Sequence, residues 1–165
     1  SGTTDQLLKF TGSTTLASSA ISTGKVIQTV SATGGAELMT SSTFNSTGLY
    51  ATITPTAATS RLLVFATTPR IYNNGTEELN AQIWKGTSGE ASGSTVQGLR
   101  SDGGGFSGNT DSPATMSVLI PASGVTTAAT TFTVMHANGN NSSLVGWYQG
   151  LTGAQGELII MEISA

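Results

Sequence analysis

One imidazole, nine carboxylates and a handful of aromatic side chains are what this chain offers for chemistry. His136 is the only conventional general base. A Ser-His-Asp site needs such a base held beside a serine. No G-x-S-x-G turn surrounds any serine here, so His136 reads as a strand residue. Two carboxylates flanking a sugar bond would serve a glycosidase, and Asp102 and Asp111 are the nearest candidates for such a pair. The chain is short for a polysaccharide depolymerase and has few carboxylates to choose from. Asp102, Asn109 and Asp111 also offer oxygens from one Gly-rich segment to Ca²⁺, which takes six to eight. Their spacing fits no defined calcium loop, and a solvated loop is the expectation. No metal and no cofactor are expected, and catalytic residues are expected to be absent.

The aromatic residues carry the better signal. Sugar recognition combines flat aromatic faces with amide side chains. Trp147 and Tyr148 follow Asn138 and Asn140 in a turn-rich stretch, Trp84 alternates with Asn80 and Gln82, and Tyr72 adjoins Asn73 and Asn74. Tyr72, Trp84, Asn138, Asn140, Trp147 and Tyr148 are therefore the candidate glycan contacts. The competing expectation for each is burial in the core or between subunits. Neighbours in a strand point to opposite faces, so at most one of Trp147 and Tyr148 is core.

The elements that must position these groups are strands. Charged residues make up 9% of the 165-residue chain, against about 25% in an ordinary globular protein. Ser, Thr, Gly, Ala and Asn take their place. The net charge is −3 and there is no cysteine, which excludes disulfides and thiolate metal sites. Six basic residues are too few for a nucleic-acid footprint or an electrostatic membrane anchor. No apolar run approaches the length of a membrane-spanning helix.

Short apolar runs bounded by turn residues recur from Gly24 onward. Residues 49–54 alternate, with Leu49, Ala51 and Ile53 on one face, and Pro55 ends the run. Residues 61–67, RLLVFAT, are apolar on both faces, so the strand is expected to be covered on both, by a sheet and by a partner chain. Residues 79–85 alternate strictly. Residues 101–110, with three consecutive glycines, read as a long surface loop. Further strands are expected at 25–33, 114–120, 130–137, 143–149 and 156–164. Eight such strands predict an all-β domain, a jelly-roll-like antiparallel β-sandwich over residues 24–165. Residues 1–23 read as an extended N-terminal arm or connector that packs on a neighbouring chain, because Leu7, Leu8 and Phe10 cannot form a core alone.

Four pieces of this pattern resemble the all-β tail-fibre and virion structural domain of marine bacteriophages. They are GKVIQTV from Gly24, TGLYATITP from Thr47 with SRLLV from Ser60, DSPAT from Asp111 with TFTV from Thr131, and the closing LIIMEI from Leu158. The resemblance implies a non-enzymatic component of a virion surface, in a tail fibre or spike that attaches to the host, with a capsid decoration or cement protein as the alternative. It implies other virion proteins as partners, and a host cell-surface polysaccharide as a contact. A homotrimer is expected, because a lone sandwich leaves the second apolar face of residues 61–67 uncovered, and closed symmetry avoids open-ended fibres.

Overall fold

Alternation of inward apolar and outward polar residues is the rule in most of the strands. In a computed structural model, residues 6–10, 16–20, 24–35, 40–74, 78–86, 93–102, 109–139, 145–148 and 155–165 are described. They form β1 (Gln6–Phe10), β2 (Leu16–Ala20), β3 (Val26–Gly34), β4 (Asn45–Ile53), β5 (Arg61–Asn74), β6 (Glu78–Gly86), β7 (Ser94–Asp102), β8 (Asn109–Ile120), β9 (Thr130–Asn138), β10 (Val145–Tyr148) and β11 (Gly156–Ile163). Among the described residues a single 3₁₀ turn spans Ala122–Gly124. Among the described residues no helix is long and apolar enough to cross a membrane.

Every strand pair among the described residues is antiparallel. The pairs nest. β6 pairs with β7, β5 with β8, β4 with β9 and β3 with β11, as in one long hairpin folded over on itself. Further pairing of β6 with β9 and of β5 with β11 closes two four-stranded sheets, ordered β3-β11-β5-β8 and β4-β9-β6-β7. This winding is a jelly roll. The short β10 adds to the far half of β5 and packs against β9 and β6.

The core lies between the sheets. Leu62, Val64, Ala66, Leu158 and Ile160 from one sheet meet Leu49, Ile53, Leu79, Ile83, Phe132 and Val134 from the other. The inward residues expected on 49–54 and 79–85 are all buried. Pro55 lies just past the end of β4, since proline cannot donate to the ladder.

On residues 61–67, Leu62, Val64 and Ala66 are sealed against the opposite sheet, while Leu63, Phe65 and Thr67 are half-buried within the single chain. Three expectations are revised. β5 and β8 run on past Pro69 and Pro113, because both prolines sit where the register shifts between Thr68 and Ile71 and no ladder bond is required of them. The stretch read as a loop at 101–110 begins inside β7 and ends inside β8, and residues 103–108 lie outside the described residues. Within the N-terminal arm, β1 and β2 pair with each other as a separate two-stranded sheet.

Candidate functional site

The outer face of the β3-β11-β5-β8 sheet follows from the register. Directly opposed residues share a face. Leu119, Leu63, Met161 and Thr29 make one row across the four strands, and Ser117, Phe65, Ile159 and Ser31 make the next. Thr115, Thr67, Glu157 and Thr33 make a third. The first two rows place an apolar strip across the middle of the sheet, and hydroxyl side chains border it at β3. Leu119 is 47% exposed, and Leu63, Phe65, Ile159 and Met161 are half-buried.

The outer face of the opposite sheet is built differently. Tyr50, Thr133, Trp84 and Thr95 form a row across β4, β9, β6 and β7. β9 is buried along its whole length, on both faces. Trp84 of β6 leans on Phe44, the residue before β4, with ring centroids 6.0 Å apart, so an aromatic pair reaches across β9 from its two sides. Trp84 Nε1 donates to Gln82 Oε1 at 2.7 Å, and Thr95 Oγ1 donates to the same oxygen at 2.6 Å. Thr52 and Thr131 share a hydroxyl hydrogen bond of 2.8 Å. Tyr50, 45% exposed, presents an open aromatic face beside this polar lattice.

Of the six candidate glycan contacts, Trp84 and Asn138 have described side chains. Trp84 is half-buried and tethered on the outer face just described. Asn138 ends β9 fully buried, its N–H donating to the Ser41 carbonyl at 2.8 Å. Burial therefore removes it from solvent, and it serves the closure of the loop before β4. Tyr72, Trp147 and Tyr148 lie on the paired β5 and β10, where Trp147 registers with Ile71 and Tyr148 with Arg70. Their side chains and the whole of Asn140 lie outside the described residues. Asp102 and Asp111 fall on β7 and β8, in different sheets. Asn109 opens β8 opposite Asn74.

His136 is sealed in the interior at 0% exposure, and burial lowers its pKa from 6.5 to about 4. The ring is neutral at physiological pH.

Glu162 is the polar group that composition gave no reason to single out. It shares the inward phase of Leu158 and Ile160 and is fully buried. Its carboxylate accepts from Gln28 Nε2 at 2.6 Å, Thr56 N–H at 2.9 Å, Thr56 Oγ1 at 2.8 Å and Ala57 N–H at 3.3 Å. Burial acts to raise its pKa, but the hydrogen bonds from Ser60, Gln28 and Thr56 outweigh it and bring the value from 4.5 down to about 2. A charge is affordable there only because donors surround it. The cluster pins the β4–β5 turn to β11 and β3, so its work is structural. The signal was visible in LIIMEI as a carboxylate at an inward position.

No family model matches the chain, and no curated protein matches it. Among solved structures it is similar to the VP2 subviral particle of infectious bursal disease virus, with a TM-score of 0.51 and 16% identity. The likeness covers 95% of this chain and 38% of that one. At that identity it shows a shared fold.

Proposed function

We propose that this chain is a non-enzymatic structural module of a virus particle, acting in a tail fibre or spike that attaches to the host surface. The observation that carries the reading is the apolar strip of Leu63, Phe65, Ile159, Met161 and Leu119 on the outer face of a jelly-roll sheet. Jelly rolls recur in capsid and lectin domains, and an apolar strip on one is a surface for assembly. The module works as a homotrimer, with other virion proteins as further partners. A host polysaccharide is met through the hydroxyl-rich, weakly charged surface, where repeated weak contacts add up through effective concentration. The chain's one imidazole, His136, is sealed from solvent and so out of reach of a substrate, which favours this reading.

A second reading, a capsid decoration or cement protein, draws support from the likeness to a viral capsid protein. Electron microscopy of particles with this chain labelled separates the two. Label on tail appendages supports the first reading, label over the head supports the second, and particles without label overturn both. Polysaccharide cleavage that is lost on Asp102→Ala or Asp111→Ala would overturn the non-enzymatic assignment.

A further inference from the structure

Each sandwich edge must be defended against unwanted strand pairing, and the four edge strands differ in how they achieve this. β7 carries Arg100 and Asp102, and β8 carries Asp111 and Pro113. β4 is kinked by the register shift between Ser46 and Tyr50, and Gly48 within it has φ +77°. β3 has none of these devices from residue 28 to 34. That run, QTVSATG, holds regular register with β11 and contains no charge and no proline. Val26 and Ile27 beside it are 55% and 44% exposed.

The chain also contains an element in need of a sheet. β1 and β2 pair only with each other among the described residues. A lone two-stranded hairpin is at best marginally stable in water. β2, LASSA, has no charge, while β1, QLLKF, carries Lys9.

We infer that the β1–β2 hairpin of one copy adds to the free edge of β3 in a second copy, with β2 against β3 and β1 outermost. Main-chain hydrogen bonds of the added strand give the affinity. The extended sheet then ends on the strand with Lys9, a defended edge. The inference deepens the reading of the chain as an assembling structural module and rests on it.

The structure leaves this edge to a second copy. Only residues 21–25 lie between β2 and β3, yet within its own chain the hairpin does not pair with β3: β1 and β2 form a sheet of their own.

The absence of cysteine makes the test clean. Two full-length pools with different tags, one Ser18→Cys and one Thr33→Cys, are mixed and treated with a short bismaleimide. The expected result is a product carrying both tags. Adding Thr29→Lys and Ser31→Lys to the second pool, at exposed positions on β3, abolishes that product, as does Ser18→Cys with Ala17→Pro in the first. Circular dichroism confirms that each variant stays folded. A doubly substituted chain that crosslinks only within itself overturns the exchange, and so does failure to form the mixed product. Sedimentation of the parent chain tells the two readings apart. A multimer without the mixed product sinks the hairpin route alone, and a monomer sinks the assembly reading as well.

Discussion

Replacing Glu162 by Gln probes the buried carboxylate cluster with almost no change of shape. The carboxylate offers two acceptor oxygens to Gln28 Nε2, to the N–H and Oγ1 of Thr56 and to Ala57 N–H. The amide keeps one oxygen and turns the other into a donor, which then faces donors. A hydrogen bond to a charged group contributes about 1.5–3 kcal/mol and a neutral one about 1. Losing the charge on the bonds that remain and orphaning one donor costs about 3 kcal/mol in total. For a chain of this size each kcal/mol moves Tm by about 2–4 °C, so Glu162→Gln should melt about 6–12 °C lower at neutral pH. The carboxyl titrates at about 2 when folded and at 4.5 otherwise. The unfolded chain therefore holds more protons within that window, and the native advantage falls as pH falls. Parent and variant should differ fully above about pH 5 and converge toward about pH 2. Thermal unfolding followed by circular dichroism across that range reads both effects. Equal melting at neutral pH, or a gap that persists unchanged into acid, would refute the assignment of the charge as the clamp.

His136 sets a second pH window. Its folded pKa of about 4 lies below 6.5, so stability should decline from pH 6.5 toward 4 by up to about 3 kcal/mol. His136→Gln should flatten that slope in denaturant titrations run at successive pH values, and an unaltered slope would discount the residue. Leu63→Glu together with Met161→Glu places charges in the apolar strip without touching the inner core. Sedimentation should show assembly weakened while circular dichroism stays that of a β protein; undiminished assembly would remove the strip from the interface.

The strands that alternate cleanly were legible. Leu49, Ala51 and Ile53, and Leu79, Ala81 and Ile83, declare their face by a period of two. β7 was not legible, because the register shift between Ile83 and Trp84 displaces Val96 and breaks the alternation between Val96 and Leu99. β9 was legible as a strand but not as one buried on both faces. Its second face is Thr131, Thr133 and Met135, and what covers them comes from residues distant in sequence, Phe44 and Trp84 among them. The nested pairing rests on contacts between chain ends, which no local pattern encodes. For the candidate site, Trp84 was readable as an outward residue of an alternating strand. The burial of Asn138 was not, since it depends on a loop near Ser41 folding back over the end of β9.

The winding has a mechanical consequence. β3 and β11 are neighbours and run antiparallel, so Lys25 and Ser164 sit at the same end of one ladder. A force pulling Gly24 and Ser164 apart meets the rungs one after another, as in opening a zipper, and never loads them all in shear. The resistance at any moment is that of a single pair of backbone hydrogen bonds. A module gripped at these two points yields to tension early, and it gains strength only when a neighbour holds β3 from its other side.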